Sequence, residues 1–269
     1  MSILDLFAIP GNSAEHGGQV DQMNAVIHWL MLVLFIGWTV YFFVAIIKFW
    51  HKNTAKASYT GVKSHVSTHL EIGVIIVEAV FLLGFAFPLW AERTDTFERV
   101  VANDKDAPRV RVIGRQYSWV YHYPGNDGIF GRTDNSLIDG ENQIGIDPDD
   151  VNGYDDFLVA NGALRLPVNR NSILQVTSLD VIHNFAIVPM RIQQDCIPGK
   201  EIPMWFKPVE KIDTFVVCAQ LCGEAHANMK GALEVIDGKE YYAWVKQRSE
   251  DAAQKSQERR GTTVQTASR

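Results

Sequence analysis

The segment Cys218-Ala-Gln-Leu-Cys222-Gly-Glu-Ala-His226-Ala-Asn-Met229 places two thiols, an imidazole and a thioether within twelve residues. A further imidazole, His183, lies upstream in Asp180-Val-Ile-His183-Asn-Phe. Thiolate, imidazole and thioether together form the donor set that suits copper in an electron-transfer site. A mononuclear site of that kind uses one cysteine. Two cysteines at i and i+4, followed by His226 and Met229, can bridge two copper ions. Two other readings stand beside this one. Two Cys and two His could hold structural zinc, although zinc sites favour closer C-x2-C pairs and have no use for Met. Cys218 and Cys222 could instead form a disulfide, which would leave the His and Met residues unexplained. Cys196, the third cysteine, reads as a small buried side chain.

Composition bounds the rest. The chain has 269 residues, 47% of them hydrophobic, and a net charge of −6, which argues against nucleic acid as a partner. Three cysteines are too few for a disulfide framework. Residues 25–50 contain only His28 and Lys48 as ionisable groups, and residues 72–90 contain only Glu78. Each run approaches or exceeds the roughly 20 apolar residues needed to cross a bilayer. Trp29, Trp50 and Trp90 fall near the ends of these runs, as interfacial anchors do. The first run is expected to be a retained span, because its acidic flank does not resemble a signal-peptide leader. Lys52, Lys56 and Lys63 place the intervening loop on the cytoplasmic side by the positive-inside rule.

The expected organisation is therefore an extracytoplasmic segment over 1–24 and a transmembrane helical hairpin over 25–92, with spans about 25–50 and 70–90. A β-rich domain over 93–240 and a C-terminal helix and polar tail over 241–269 follow. Short β-rich runs separated by turns suggest a sandwich or barrel, with strands at 110–113, 119–123, 163–168, 173–178, 181–188, 215–218 and 232–236. An amphipathic helix is expected over 239–256, with a disordered polar end beyond it. Eight acids lie between Asp134 and Asp156 with no Lys or Arg among them. They read as a docking face for a basic electron carrier, a calcium site or a solvated loop. Glu71 and Glu78 share one helix face in the second span, and an intramembrane carboxylate points to a proton or ion path.

The chain resembles subunit II of the haem–copper cytochrome c oxidases from about Val26 to Ile236. The matching motifs are Asp180 to Phe185, Asp195-Cys-Ile-Pro-Gly199, and Cys218 to Met229. The resemblance implies a two-helix transmembrane hairpin followed by an all-β cupredoxin-like sandwich with a binuclear copper A centre. It implies His183, Cys218, Cys222, His226 and Met229 as ligands to two copper ions, with Gln220 supplying a backbone carbonyl. Gln220 stands where relatives carry a glutamate that also binds magnesium at the subunit I boundary, which puts that ion in question. The family's aromatic motif reads Gly114-Arg115-Gln116-Tyr117-Ser118-Trp119 here. Tyr117 and Trp119 are accordingly the candidates for the electron-input surface, and Glu71 aligns with a glutamate at the mouth of a proton-uptake path.

The implied partners are the haem-containing subunit I, subunit III, the lipid membrane, and cytochrome c or another electron-carrier protein. The implied location is the bacterial or mitochondrial inner membrane, with the copper domain on the periplasmic side. The alternative function is a standalone membrane-tethered cupredoxin that shuttles electrons or stores copper.

Overall fold

The computed structural model describes residues 3, 6, 8–51, 59 and 64–267, with the side chains of 93–98 and 260–267 left undescribed. Lys52, Lys56 and Lys63, on which the expected orientation rests, lie outside the described residues. The chain forms two compact units, one comprising residues 1–9 and 18–96 and the other residues 10–17 and 97–269.

The first unit is helical. Helix α1 spans Gly17–Phe49, and α2 spans Val66–Phe81. A five-residue π turn, Leu82–Ala86, leads into α3, Phe87–Asn103. The wide turn has a local cause. Pro88 has no N–H to donate, and its ring clashes with the carbonyl four residues back, so the helix loosens just before it. Apolar windows within Gly17–Phe49 and Val66–Glu92 are long enough to cross a membrane, and neither is buried in the chain. Gln19 Nε2 donates to Glu92 Oε2 at 3.5 Å, which sets the start of α1 beside the end of the second span, as a hairpin requires.

The second helix does not stop near residue 92, as the sequence suggested. It continues to Asn103, because Val100 packs into a small cluster with Ala107 and Ile173 of the β domain.

The second unit is a sandwich of two five-stranded sheets. The first has the order β3-β2-β1-β5-β8, and the second β4-β10-β9-β6-β7. The strands are β1 Arg109–Arg115, β2 Ser118–Tyr123, β3 Phe157–Ala160, β4 Ala163–Pro167 and β5 Ser172–Ser178. They continue with β6 His183–Ile187, β7 Ile192–Cys196, β8 Ile202–Phe206, β9 Ile212–Cys218 and β10 Lys230–Ile236. Inward-facing Val110, Val112, Tyr121, Leu164, Leu174, Phe185 and Leu233 are fully buried between the sheets. All seven expected strands are present, with the expected 181–188 strand shortened to His183–Ile187. Strands β3, β7 and β8 were not anticipated, and each is an edge strand. β7 has Gln193 and Asp195 outward, and β8 carries Pro203, which only an edge tolerates.

The C-terminal helix α4 spans Gly238–Ala267, longer than the expected 239–256. The helix runs on to Ala267, past the point where a polar, disordered end was expected. Trp244 anchors α4. It meets Tyr123 edge-on at 5.1 Å, and Tyr123 stacks on Phe157 at 4.8 Å.

The acidic stretch is built into its own loop. Asp156 and His122 are both fully buried and meet at 2.6 Å, and Asp156 also accepts from the Gly131 amide at 2.8 Å. Arg111 lies 3.4 Å from the other His122 nitrogen and pairs with Glu201 at 3.0 Å. Asp147 pairs with Arg132 at 2.8 Å, and Asp134 and Asp139 cap turns. Most of these carboxylates therefore have partners within the domain.

Burial holds the His122 imidazole below its ordinary value of 6.5, against the opposing pull of Asp156. The unfolded chain therefore takes up this proton more readily than the folded one, and stability falls as pH drops below about 6.5. Denaturant unfolding of the wild type should lose stability from about pH 7 to about pH 5. His122→Gln should flatten that dependence, and an unchanged slope would contradict the assignment.

Candidate metal centre

The donor residues come from two neighbouring strands and the loop after them. β6 begins at His183, and β9 ends at Cys218. Phe185 of β6 pairs with Cys218 in register, so the two strand ends lie side by side. The 219–229 segment then closes on itself. The Cys218 amide donates to the Met229 carbonyl at 3.1 Å, and the Ala219 amide donates to the Asn184 carbonyl at 3.0 Å. A short 3-10 turn, His226–Asn228, brings His226 back toward the thiols.

The resulting distances are short. Cys218 Sγ lies 3.8 Å from Cys222 Sγ, 3.8 Å from His183 Nδ1 and 3.2 Å from the Gln220 carbonyl oxygen. Cys222 Sγ lies 3.6 Å from His226 Nδ1 and 3.7 Å from Met229 Sδ. Donor atoms of His183, Cys218 and Cys222 all fall within 4.8 Å of one another, and the three residues are buried. All three cysteines are free thiols, so no disulfide joins Cys218 to Cys222. Every residue that the sequence marked as a copper ligand thus faces one small volume. The soft character of the donors and the placement of two imidazoles around two thiols fit copper.

Burial, with Cys218 adding to it, pushes the Cys222 thiol up to about 11. A bound cation must therefore supply the charge that turns it into a thiolate. Cys196 pairs with His183 across β6 and β7 and is fully buried, and burial pushes its thiol up to about 12. It packs in the core between the sheets, as the small buried side chain read from the sequence.

Two residues whose roles the sequence did not reveal orient the donors. Asp180 Oδ1 lies 2.8 Å from His183 Nε2, which turns Nδ1 of that ring toward Cys218. Burial raises the Asp180 carboxyl, but hydrogen bonds from the Gln116 amide, His183 and the Val181 amide outweigh it and hold the group below its ordinary range. Gln116 ties both halves together. Its amide donates to Asp180 at 2.7 Å, and its side chain donates to the Cys222 carbonyl at 2.6 Å.

Two glycines are required by close approach. A Cβ on Gly114 would stand 2.9 Å from His183 Cδ2. Gly223 has φ +136°, and a Cβ there would strike the Tyr117 hydroxyl.

The two aromatic candidates separate. Tyr117 is 37% exposed at the rim of the centre. Trp119 is buried and packs edge-on to His183 at 6.1 Å and to Phe185 at 5.4 Å. β2 thus turns Trp119 into the space between the sheets, behind His183, while Tyr117 stays at the surface. Val181, Ile182 and Leu221, in the segments that lead into His183 and join Cys218 to Cys222, are also exposed. Glu71 lies in the second turn of α2 and Glu78 in its body, both exposed on the isolated chain.

Residues 109–236 match the family described as "Cytochrome C oxidase subunit II, periplasmic domain". The chain is 29% identical over 234 residues to the "Alternative cytochrome c oxidase subunit 2" of Bradyrhizobium diazoefficiens, a match covering 87% of this chain and 82% of that relative. It is 29% identical over 237 residues to the "Cytochrome c oxidase subunit 2" of Cereibacter sphaeroides, covering 82% and 75% respectively. Among solved structures, the periplasmic domain of subunit II of cytochrome oxidase of Bradyrhizobium japonicum is similar, with 29% identity and a TM-score of 0.40. That match covers 54% of this chain and 96% of the other.

Removing the hydrogen bond behind a metal-bound histidine typically costs 10–100-fold in affinity. Asp180→Ala should lower copper affinity by about that factor in a competitive chelator titration, with little change in the unfolding midpoint of the metal-free chain. Affinity equal to wild type would contradict the orienting role.

Proposed function

We propose, from the membership of residues 109–236 in the family of cytochrome c oxidase subunit II periplasmic domains, that this oxidase subunit takes electrons from cytochrome c, or another electron-carrier protein, and passes them to the haem-containing subunit I. One observation carries the proposal. Two thiols 3.8 Å apart are ringed by two imidazoles, a thioether and a backbone carbonyl. Two copper ions held by His183, Cys218, Cys222, His226, Met229 and the Gln220 carbonyl would accept and release one electron at a time.

The chain's own residues do the rest. The strand ends and the closed 219–229 loop fix the donors on a rigid sandwich, so that they need not move between oxidation states. Asp180 and Gln116 hold the His183 ring and the Cys222 backbone in place. Tyr117, Val181, Ile182 and Leu221 give a docking carrier an apolar surface from which water can be excluded. Trp119 forms the wall behind His183. Gln220 offers a neutral amide where magnesium favours a carboxylate, so magnesium is not part of the proposal.

In the membrane, Glu71 admits protons to the partner subunit, and Glu78 faces a polar partner group because lipid cannot solvate it. Subunits I and III and lipid cover the exposed apolar helices. Two spans return the chain to the face it started from. In agreement, the Ser13 amide donates to the Pro189 carbonyl at 2.8 Å and the Glu15 amide to the Lys207 carbonyl at 3.0 Å, which straps the N-terminal segment to the β domain. That face is extracytoplasmic, in a bacterial or mitochondrial inner membrane.

Affinity purification through this chain should recover a haem-bearing membrane subunit, and the complex should oxidise reduced cytochrome c. Cys222→Ser should keep the partner and abolish that oxidation. Recovery of the chain alone, copper-loaded and exchanging electrons without a haem partner, would overturn the oxidase role in favour of a standalone carrier.

A further inference from the structure

A cleft of about 550 Å³ opens on the β domain between the turn before β1, the loop after β2 and the first turns of α4. Lys105, Arg109 and Lys246 line it, and none of its lining residues is a carboxylate. That is unusual for a chain with 31 acids against 25 bases. Two acids close to it in the chain have partners of their own. Asp104 takes Arg170 and Asn171, each at 3.1 Å, and Asp155 takes the Asn126 amide and the Ser249 hydroxyl, each at 2.6 Å. Asp106 gives its backbone carbonyl to the Tyr242 hydroxyl at 3.5 Å. Lys246 reaches Glu250 only at 3.9 Å, with both side chains well exposed, and such pairs contribute little. Among the described residues, neither Lys105 nor the half-buried Arg109 has an ion pair.

Three cations lining one cleft, with only the exposed Glu250 paired to Lys246, repel one another, and an anion between them removes that cost. Arginine offers a planar fork that matches phosphate, and lysine adds point charge. Tyr241 is buried at the cleft and Tyr242 is partly exposed beside it, with their rings 5.2 Å apart, so an aromatic wall adjoins the cations. The volume falls within the range of about 300–1,000 Å³ usual for small-molecule sites.

We infer that this cleft binds a phosphate-bearing organic anion, either a soluble nucleotide or the headgroup of an anionic lipid. A ligand there would bridge two elements that are far apart in sequence. Lys105 and Arg109 follow α3, which continues the second span, and Lys246 lies on α4. Binding would brace the C-terminal helix against the segment that leads out of the membrane. The inference does not depend on the metal centre or on the oxidase role.

Isothermal titration of the full-length chain in neutral detergent tests it, with ATP in one arm. The other arm uses short-chain phosphatidylglycerol below its micellar concentration against phosphatidylcholine of equal chain length. Saturable binding of ATP, or of phosphatidylglycerol but not phosphatidylcholine, is expected, and which arm responds identifies the source of the phosphate. Arg109→Gln and the exposed-site double variant Lys105→Gln/Lys246→Gln should each weaken binding by about tenfold or more. Lys255→Gln, farther along α4, should leave it unchanged. Absence of saturable binding in both arms, or equal affinity in the double variant, would overturn the inference.

Discussion

Two thiols 3.8 Å apart in a buried pocket set the central constraint on this structure. Ionised together, they would repel by about 4 kcal/mol at an effective dielectric of about 20. That exceeds the net contribution of a typical hydrogen bond, about 1 kcal/mol. The pair therefore persists as neutral thiols or as thiolates beside cations, and burial alone already opposes ionisation of Cys222. The surroundings suit the second state. Neutral, soft donors ring the sulfurs, and among the described residues no carboxylate touches them directly. Asp180 acts through His183.

That arrangement depends on long-range ties. Gly114 lies in β1, Gln116 in the turn after it and Asp180 in the turn after β5, and each acts on a donor residue contributed by another element. The sandwich places β6 beside β9 so that one loop can complete the ring. On the far side of the domain, the buried His122–Asp156 pair and the Trp244 anchor hold the acidic loop and α4 against the first sheet. The metal centre itself is made of a strand start, a strand end and one closed loop, all on a rigid support.

Much of this was legible in the sequence for identifiable reasons. The spans showed because apolar runs carry their own signal, and the interior strands showed because they alternate or run apolar. The donor set showed because its chemistry is unusual at that spacing. The edge strands β7 and β8 were hidden because an edge can carry Gln193, Asp195 or Pro203 on its open side. The continuation of the second helix to Asn103 was hidden because Val100 is secured only by tertiary contact. The roles of Asp180 and Gln116 were hidden because their partners lie far away in sequence, as with Gln116 and Cys222. Trp119 is buried two residues from the exposed Tyr117 because Tyr117 lies in the turn before β2 and Trp119 on the strand itself, a boundary the sequence does not mark. The acids of 134–156 looked free because turn caps and buried pairs leave no mark in composition.

The most direct test of the account is electron paramagnetic resonance, with copper quantification, on the copper-loaded full-length chain. Two copper ions per chain sharing one unpaired electron is the predicted result, and it should vanish in Cys218→Ser. A single copper with a mononuclear spectrum, or preferential retention of zinc, would contradict the binuclear centre and the electron-transfer role built on it.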